Sequence, residues 1–466
     1  MVTRTSTRLA VRQIDLTLTT TEVFEHFSHL PWAILLDSAD SDHPNANYDI
    51  ISFAPVATLT TIESSTRFTP LCPSIAAVIP EQVHDETPFA VLKHYLTQLY
   101  PNKLECQLPF AGGAMGSFSY DLGRQLETLP ETANKDISLP EMNIGLYDWA
   151  LIFCYKSNSW NLVSYLGEAA LELKLNELKS YLSITSKQDS FKLTTPWNAQ
   201  ITQQHYQQKF FQIQEYLLSG DCYQINLTQR FSANYSGDEW AAYTRLRSKN
   251  KGPFSAFIRL PQHTVLSISP ERFIQRHGDF IETKPIKGTL PRNTDPLLDK
   301  QAAEQLRNST KDRAENLMIT DLLRNDLGKV AKAGSVKVPS LFEIESFPAV
   351  HHLVSTVTAV LRDDLDATDI LHSSFPGGSI TGAPKFRAME IIEELEPSRR
   401  SIYCGSIGYI SQHGIMDTSI TIRTLLTEKQ TIYCWAGGGI VADSNVDCEY
   451  QESFDKVSKI LPILTE

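Results

Sequence analysis

Residues 402–442 read IYCGSIGYISQHGIMDTSITIRTLLTEKQTIYCWAGGGIVA, and this stretch decides the fold. Short runs of apolar and β-branched residues are separated by turn sequences at Gln412-His413-Gly414 and near Glu428-Lys429. Runs of this length, joined by such short connections, are typical of antiparallel strands. The stretch therefore predicts a β-meander.

The flanking sequence extends this pattern. Residues 254–290 also alternate as strands and turns, and helical spacing of apolar residues predicts a helix over Gln203–Ser219 that stops at Gly220. We expect a long helix over Asp295–Leu327, ended by Gly328, and a closing helix from about Val446. Strand meanders interleaved with helices, without a β-α-β repeat, indicate an α+β fold built on antiparallel sheets.

The first half of the chain reads as strands and loops. Trp32–Asp37 and Trp149–Tyr155 are short apolar runs bounded by polar or turn residues, as in buried strands. Residues 183–202 are polar, rich in Ser and Thr, and interrupted by proline, which predicts a linker. We therefore divide the chain into an N-terminal domain, residues 1–195, and a C-terminal domain, residues 196–466.

Composition excludes several classes of protein. The 466 residues carry 42 basic and 54 acidic side chains, a net charge of −12, which argues against a nucleic-acid binder. No apolar run reaches the roughly 18 residues of a membrane span, and no apolar stretch follows the N-terminal arginines as in a secretory signal. The seven cysteines are scattered without a C-x-x-C pair, which fits a reducing compartment. These features predict a cytoplasmic enzyme.

Two pairs of acidic residues lie three positions apart on predicted helices: Asp312 with Glu315, and Glu449 with Glu452. Residues at i and i+3 share one helix face, so each helix presents two carboxylates to one side. The tract Gly437-Gly438-Gly439 precedes the second pair and permits close approach of the backbone to a ligand. This combination suits Mg²⁺ holding an anion, because Mg²⁺ prefers oxygen donors. A solvated acidic face is the structural alternative.

Lys287 lies between Pro285 and Gly288 at the end of a predicted strand. Such a lysine is usually a surface charge, but one buried beside a substrate can lose its proton and act as a nucleophile or base. Glu271, on the neighbouring strand of the same predicted hairpin, would then serve as a general acid for a departing group. A surface turn at Glu271-Arg272 is the alternative.

Three patterns argue against other chemistries. Gly377–Lys385 resembles a phosphate loop but lacks the G-K-[ST] ending, and Pro384 removes an N–H donor. His351 and His352 are adjacent, so their side chains point to different faces and do not form a zinc motif. No cysteine lies in a G-x-C-x-G sequence, so the chain shows no glutaminase nucleophile.

The segments that carry these residues resemble, in order, the motifs of the chorismate-utilising enzyme family. The matching segments are Ser269–Arg272, Pro285–Thr289, Asp312–Asn316, Asp321–Asp326, His352–Ser355, Phe375–Gly378, Gly382–Lys385, Tyr403–Gly405 with Gly408-Tyr409, Ile422–Thr424 and Ala436–Ser444. They cover essentially all of residues 205–460. The N-terminal half resembles the family's other domain through Leu35–Ser38 and Asn45–Tyr48.

The resemblance implies two antiparallel β-sheets packed as a sandwich with flanking helices, the C-terminal domain being the chorismate-binding catalytic domain. It also implies a reaction in which chorismate and ammonia give 4-amino-4-deoxychorismate, the precursor of 4-aminobenzoate and folate. In the family, ammonia comes from glutamine through a separate glutamine amidotransferase subunit in a heterodimer. The missing glutaminase nucleophile is consistent with such a partner.

The resemblance also assigns roles to individual residues. Glu315 and Glu452 would bind Mg²⁺ directly, with Asp312 and Glu449 beside them, and Asp312 is shorter than the glutamate of anthranilate synthases. The residues that match substrate-binding positions are Gly288, Thr289, His352, Tyr403, Arg423, Gly437, Gly438 and Gly439. Arg423 suits a substrate carboxylate, because a guanidinium can bind it with two hydrogen bonds. Without the family context, core packing is the alternative for Tyr403 and His352.

Lys287 and Gln224 separate the family members on chemical grounds. Isochorismate and salicylate synthases have a water-activating lysine where this chain has Gln224, and anthranilate synthases have a small residue in place of Lys287. The resemblance therefore implies a covalent route, in which Lys287 attacks ring carbon 2 as the 4-hydroxyl leaves and ammonia then adds at carbon 4. Glu271 would protonate the departing hydroxyl.

Family members also carry a tryptophan site, regulatory in anthranilate synthases. The residues at matching positions are Ser38, Asn45, Ala46, Asn47, Tyr48, Pro253, Phe254 and Ser255. Two alternatives to the aminating enzyme stay open: an anthranilate synthase component I, and a tryptophan-binding subunit that has lost catalysis. Product fluorescence distinguishes the first alternative, and a rate measurement with ammonium salts distinguishes the second.

Overall fold

The computed structural model describes residues 8–184, 189–347 and 350–465. In the N-terminal part, the strands are β1 (Ala10–Ile14), β2 (Ile34–Asp37), β3 (Tyr48–Ser52), β4 (Ala57–Ile62), β5 (Ser65–Pro70), β6 (Gln82–His84), β7 (Gly113–Phe118), β8 (Met142–Tyr147), β9 (Trp149–Cys154), β10 (Ser159–Ser164), β11 (Lys192–Leu193) and β12 (Asn198–Ala199).

The remaining strands belong to the C-terminal part. They are β13 (Gln224–Ser236), β14 (Phe254–Arg259), β15 (His263–Ser269), β16 (Arg272–His277), β17 (Phe280–Thr283), β18 (Ile286–Pro291), β19 (Lys337–Ser346), β20 (Val350–Val360), β21 (Gly382–Ala383), β22 (Ser406–Ser411), β23 (Met416–Ile420), β24 (Thr424–Glu428) and β25 (Thr431–Ile440).

The helices flank these strands. They are α1 (Thr20–Glu25), α2 (Pro73–Ala76), α3 (Pro88–Leu99), α4 (Glu168–Leu182), α5 (Gln203–Ser219), α6 (Glu239–Asn250), α7 (Pro296–Asn308), α8 (Thr310–Gly328), α9 (Ala367–Ser374), α10 (Lys385–Leu395), α11 (Val446–Asp455) and α12 (Leu461–Thr465). Short 3₁₀ turns cover Tyr120–Gln125 and Gly378–Ile380. None of the helices in the described ranges is long and apolar enough to cross a membrane.

The strands form two large antiparallel sheets, which confirms the predicted α+β class. The first sheet runs β1-β10-β9-β3-β2-β14-β15-β24-β25-β13-β11, and the second runs β18-β20-β17-β16-β23-β22-β7-β8-β4-β5-β6. Both sheets mix strands from the two halves of the chain, since β2 pairs with β14 and β7 pairs with β22. The division at residue 195 stays a prediction.

Apolar side chains form three buried clusters. The largest core cluster takes residues from both sheets, among them Ile34 of β2 and Ile407 of β22, and so includes the layer between them. A second cluster takes Phe24 of α1 and Tyr243 of α6 together with strands of the first sheet. A third, smaller cluster joins α5 and α10 to β13, next to the site described below.

Local signals predicted some helix ends well. The helix over Gln203–Ser219 is confirmed, because the Thr202 hydroxyl accepts a hydrogen bond from His205 N and Gly220 adopts φ 80° after the last turn. The predicted meanders at residues 254–290 and 402–442 are also confirmed, with strands β14 to β18 and β22 to β25.

Four other predictions were wrong. The long helix over Asp295–Leu327 is two helices, because Ser309 ends α7 in an extended conformation and caps α8 by accepting a hydrogen bond from Asp312 N. Gly328 is the last residue of α8 and does not lie beyond it. The closing helix is likewise split into α11 and α12, and the first half contains the well-formed helices α3 and α4.

The predicted linker at residues 183–202 contains two short strands. β11 and β12 both pair with β13, so this stretch adds to the sheet as well as connecting the two halves. Residues 185–188 of the predicted linker lie outside the described residues.

Candidate active site

The candidate site lies where the chain crosses from one sheet to the other. Pro270-Glu271 connects β15 of the first sheet to β16 of the second, and residues 421–423 connect β23 of the second sheet back to β24 of the first. The two crossings are hydrogen-bonded neighbours, since Ile420 N donates to Glu271 O over 3.0 Å and Ile268 N donates to Arg423 O over 3.0 Å. Glu271 therefore lies in this crossover, and its predicted place on the neighbouring strand of a hairpin with Lys287 was wrong.

Lys287 projects from β18 into this region. Its Nζ donates a hydrogen bond to the backbone oxygen of Ser379 over 3.2 Å. Burial lowers the pKa of the Lys287 amine, and the positive charge of Lys456 acts in the same direction, while Glu315 and Glu271 oppose it. The lysine is therefore a buried amine and not a surface charge.

Glu271 faces Lys287 across Ser379. Its side chain is 8% exposed, and its Oε1 accepts a hydrogen bond from the Ser379 hydroxyl over 3.1 Å. Burial raises the pKa of the Glu271 carboxyl, although Lys287 and the Ser379 hydroxyl act against this shift. The structure thus brings together a buried amine and a buried carboxyl whose pKa values move toward each other.

The predicted carboxylates lie in the same region, since the charges of Glu315 and Glu452 act on Lys287, and we call this region the cleft. Glu449 is 3% exposed, its Oε1 accepts from Ser444 Oγ over 2.7 Å, and its Oε2 has no hydrogen-bond partner among the described residues. Glu452 Oε1 lies 2.7 Å from Lys456 Nζ. Burial raises the pKa of both Glu315 and Glu449, with Lys311 opposing the shift at each.

Glycines let the backbone approach these acids. A Cβ atom placed on Gly438 would lie 3.1 Å from Glu449 Oε2 and 3.3 Å from Glu452 Oε1. At Gly288, where φ is +81°, a Cβ atom would lie 2.8 Å from the Asp312 carboxyl. Gly438 of β25 and Gly288 of β18 therefore leave open the space beside these carboxylates, which a larger residue would fill.

The donor set fits a hard divalent cation. All four acids offer oxygen ligands, and the unpartnered Glu449 Oε2 is an acceptor that a cation would satisfy. In the described ranges, however, no three Asp, Glu, His or Cys side chains are grouped closely enough to hold a metal ion. Lysines lie beside the acids instead, with Lys311 Nζ 3.6 Å from Glu449 and Lys456 paired with Glu452.

Three other predicted residues, Thr289, His352 and Tyr403, have defined contacts. Thr289 pairs with His352 between β18 and β20, and Thr289 Oγ1 lies 2.8 Å from His352 Nδ1. Burial lowers the pKa of His352 to about 4, with Arg423 and His43 adding to the shift, so its imidazole is neutral near pH 7. Tyr403 is buried and stacks on Trp435, the ring centroids lying 6.0 Å apart.

Arg423 is held at the second crossing with φ 50°. Arg423 is an exposed residue, but the protein around its guanidinium still lowers the pKa of this group. Its positive charge acts on both Glu271 and His352, so it lies near the predicted general acid. The arrangement can bind an anion next to a proton donor and an amine.

Sequence reasoning missed three residues of the cleft. Ser379 contacts both Lys287 and Glu271, while Lys311 and Lys456 lie beside the predicted metal ligands. Lys456 carried a usable signal, because it follows Glu452 by four positions on a helix. Ser379 carried none, since one of its two contacts is made by a backbone oxygen.

The predicted tryptophan residues lie elsewhere, around a cavity of about 90 Å³ between β2, β14 and the β22–β23 pair. Six of the eight line it: Ser38, Asn45, Tyr48, Pro253, Phe254 and Ser255. Ala46 and Asn47 lie in the same loop but not in the lining. The cavity is apolar on most of its surface, and polar side chains such as Ser38 and Asn45 also line it.

Comparisons with known proteins agree with this geometry. Aminodeoxychorismate synthase component 1 of Salmonella typhimurium is 54% identical over 443 residues, 94% of each chain. The protein of the same name from Bacillus subtilis is 36% identical and covers 74% of this chain and 76% of its own length. Anthranilate synthase component 1 of Lactococcus lactis is 31% identical over 92% of this chain and 94% of its own.

A solved structure supports the fold. Anthranilate synthase component I from Streptococcus pneumoniae superposes with a TM-score of 0.79 at 30% identity, over 90% of this chain and 93% of that one. These findings confirm both the predicted sandwich and the predicted relationship to the aminodeoxychorismate synthases. Residues 33–462 match the family described as chorismate binding enzyme. The chain therefore belongs to the chorismate-binding enzyme family.

Proposed function

We propose that this chain is the aminating component of an aminodeoxychorismate synthase, which converts chorismate and ammonia to 4-amino-4-deoxychorismate and water. The observation that carries the proposal is the placement of Lys287 and Glu271 on either side of Ser379, in a cleft that also holds four carboxylates. Relatives with this name at 54% identity support the same reaction.

The first half-reaction uses Lys287 as the nucleophile. Its neutral amine attacks ring carbon 2 of chorismate, the ring double bonds shift, and the bond from carbon 4 to the hydroxyl breaks. Glu271 gives its proton to the departing hydroxyl, which leaves as water. The new alkylammonium then returns a proton to the Glu271 carboxylate.

Ammonia completes the reaction from the same side as the lost hydroxyl. It attacks carbon 4, the double bonds shift back, and Lys287 leaves carbon 2 with the proton that Glu271 supplies. The net change replaces a hydroxyl by an amino group at carbon 4. Gln224 is a weak base, so water is not activated as a competing nucleophile.

The residues around the cleft would orient the substrate. Arg423 would bind one carboxylate of the substrate, while the backbone of Gly437–Gly439 and of Gly288 approaches the ring closely. Thr289 and the neutral His352 would hold the ring face beside Lys287. Tyr403 closes the cleft with its buried ring.

Mg²⁺ is the proposed cofactor. Glu315 and Glu452 would hold it, with Asp312 and Glu449 beside them, and it would supply a positive charge for the ring carboxylate. The lysine partners Lys311 and Lys456 then need new positions, because they now lie beside two of these acids.

The relatives' designation as component 1 supports a partner subunit. We propose that this partner is a glutamine amidotransferase that supplies ammonia, and that the heterodimer is cytoplasmic. The N-terminal residues 1–195 would form the family's other domain, and the catalytic domain would follow at residues 196–466.

Tryptophan is the proposed ligand of the cavity lined by Ser38, Asn45 and Phe254. A mostly apolar lining with a few polar side chains suits an indole and an amino-acid head group. Isothermal titration of protein freed of ligand tests this. A Ser38→Trp variant, which fills the cavity, should abolish the heat of binding, and wild-type protein with no binding heat would contradict the proposal.

Product identification tests the reaction. The chain is incubated with chorismate, ammonium and Mg²⁺, and a lyase is added to convert 4-amino-4-deoxychorismate to 4-aminobenzoate. Appearance of 4-aminobenzoate only after the lyase supports the proposal. Fluorescent anthranilate would identify an anthranilate synthase instead, and consumption of no chorismate would identify a non-catalytic subunit.

A further inference from the structure

Ser379 touches both proposed catalytic side chains through two different atoms. Its backbone oxygen accepts from Lys287 Nζ over 3.2 Å, and its hydroxyl donates to Glu271 Oε1 over 3.1 Å. One residue therefore joins the amine on β18 to the carboxyl at the crossing between the sheets.

The segment around Ser379 is held firmly. Ile380 O accepts from Arg400 Nη1 and from Asn226 Nδ2, each over 2.9 Å, and Thr381 Oγ1 donates to Gly377 O over 3.1 Å. Arg400 is 2% exposed and is itself paired with Glu396. Ser379 thus presents its two polar atoms from a fixed backbone.

We propose that Ser379 is a positioning residue, which directs the proton of Glu271 and the lone pair of Lys287 toward the substrate. The proposal rests on the proposed function of these two residues. Because the hydroxyl donates to Oε1, the acidic proton of Glu271 is placed on Oε2. Because the backbone oxygen takes one N–H of the neutral amine, the lone pair of Lys287 is turned away from Ser379.

The Ser379 hydroxyl also acts after the proton of Glu271 has moved to the substrate. As the carbon–nitrogen bond forms and the carbon–oxygen bond breaks, the proton moves from Glu271 Oε2 to the departing hydroxyl. Glu271 becomes a carboxylate, and the hydrogen bond from Ser379 stabilises this charge until the alkylammonium of Lys287 returns a proton. A donor to the charged form is worth more in a buried site than in water.

Several other charges face Glu271. They are Lys287 from β18, Lys456 after α11 and Arg423 from the crossing before β24. Removing the Ser379 hydroxyl leaves all three in place. Any change in the titration of Glu271 in that variant therefore reports the hydroxyl, and the loss of a donor to the ionised form raises the carboxyl's pKa.

Three variants test the proposal: Ser379→Ala removes the hydroxyl, Ser379→Thr keeps one, and Ser373→Ala is the matched control. Ser373 lies six positions earlier on α9, and its hydroxyl donates to Ile370 O and lies 3.3 Å from the Ser374 hydroxyl, both within that helix. Turnover with ammonium and the rate of adduct formation on the Lys287 peptide are measured for each, from pH 5 to 10, by rapid quench and mass spectrometry.

We expect kcat of Ser379→Ala to fall about 10- to 100-fold with KM changed less than about 3-fold. The limb of its pH profile that belongs to Glu271 should move to higher pH, and adduct formation should slow in parallel. Ser379→Thr should stay within a few fold of wild type, with the limb unmoved, and Ser373→Ala should match wild type.

An unchanged kcat and an unmoved limb in Ser379→Ala would overturn the positioning role, as would equal damage in Ser379→Thr and Ser379→Ala without a change in pH dependence. Both results leave the proposed function intact, because wild type still turns over. Wild-type protein that forms no 4-amino-4-deoxychorismate would instead overturn the proposed function, and this proposal with it.

Discussion

Two groups of buried polar residues differ in whether their polar atoms have hydrogen-bond partners. In the N-terminal half, Asp37 and Asp49 lie beside the apolar cavity, and each of their four oxygens accepts at least one hydrogen bond. In the candidate active site, Glu449 Oε2 and both polar atoms of the Gln224 amide are buried without a partner among the described residues.

The N-terminal group is complete within the protein. Arg247 pairs with both oxygens of Asp37, at 2.6 and 3.0 Å, and Tyr243 adds a bond of 2.7 Å. Asp49 accepts from Ser38 N and from Tyr155 OH, each at 2.7 Å. Such a closed network specifies structure and leaves no valence for a ligand.

The active-site group is incomplete. A buried polar atom without a partner costs about 1–3 kcal/mol, so proteins keep few of them. Here Glu449 Oε2 lies beside Gly438 and the Gln224 amide lies beside Gly439, where a bound cation and substrate would satisfy them. The two groups therefore differ in one respect: the carboxylates of Asp37 and Asp49 need no further partner, whereas Glu449 and Gln224 keep polar atoms that a bound ligand would satisfy.

The strongest test of this contrast removes the nucleophile. Lys287→Ala should lower ammonium-dependent turnover by at least about 1000-fold, because the variant lacks the amine that the covalent route uses as its nucleophile. Its stability should not fall, since a buried amine with a lowered pKa gives little to the folded state. Turnover is measured by coupled formation of 4-aminobenzoate, and stability by urea unfolding.

Lys284→Ala is the matched control for this variant. Lys284 lies three positions earlier and forms an ion pair with Glu345 at the surface of β19. It should keep near wild-type turnover. A Lys287→Ala enzyme that is equally active would contradict the covalent route, and incubation of wild type with chorismate alone should add the mass of the adduct to the Lys287 peptide.

The converse test breaks the complete network. Arg247→Met leaves Asp37 buried and unpaired and should cost about 3–5 kcal/mol of unfolding free energy. Turnover per folded molecule should be unchanged, because Arg247 pairs with Asp37 and not with Lys287 or Glu271. Lys249→Met on the same helix controls for the loss of charge, and equal stability of the two variants would show that the Asp37 pair is not structural.

The fold was predictable where it depends on local signals. The ends of α5 follow from Thr202 and Gly220, and the strands of the last meander follow from its turns. The break at Ser309 was also readable, because a serine followed three positions later by an acid is a capping sequence. The order of strands in the two sheets depends on pairing between distant segments, which periodicity does not encode.

The acid pairs and Lys287 stood out from their spacing and neighbours, but the roles of most site residues followed only from the family resemblance. Lys287 and the carboxylates could be named from motifs, and the structure places them around one cleft. The position of Glu271 at the crossing between sheets could not be foreseen, because it depends on which sheet each strand joins. Ser379 was missed because a backbone oxygen, which every residue has, makes one of its two contacts.

A smaller effect is expected when the unpartnered acid is neutralised. Glu449→Gln should leave the unfolding free energy unchanged or raise it by up to about 1 kcal/mol, because burial disfavours the charged carboxylate. The same variant should bind Mn²⁺, a probe for Mg²⁺, about 10- to 100-fold more weakly by isothermal titration.

Asp455→Asn, at the exposed end of the same helix, is the control for Glu449→Gln and should change neither quantity. A loss of stability in Glu449→Gln comparable to that of Arg247→Met would erase the contrast between the two groups. Mn²⁺ binding as tight as in wild type would show that Glu449 is not part of the proposed metal site.

The smallest expected effect is in the pH profile of the wild-type enzyme. The reactive form has Glu271 protonated and Lys287 neutral, and burial favours both states, since it raises the pKa of Glu271 above 4.5 and lowers that of Lys287 below 10.5. A plot of kcat/KM against pH, at constant free ammonia, should therefore be a bell whose two limbs both lie inside these limits. Limbs at the ordinary values of an exposed glutamate and lysine would mean that the cleft does not desolvate the pair. The active site would then be as well satisfied as the network around Asp37, and the contrast between the two groups would fail.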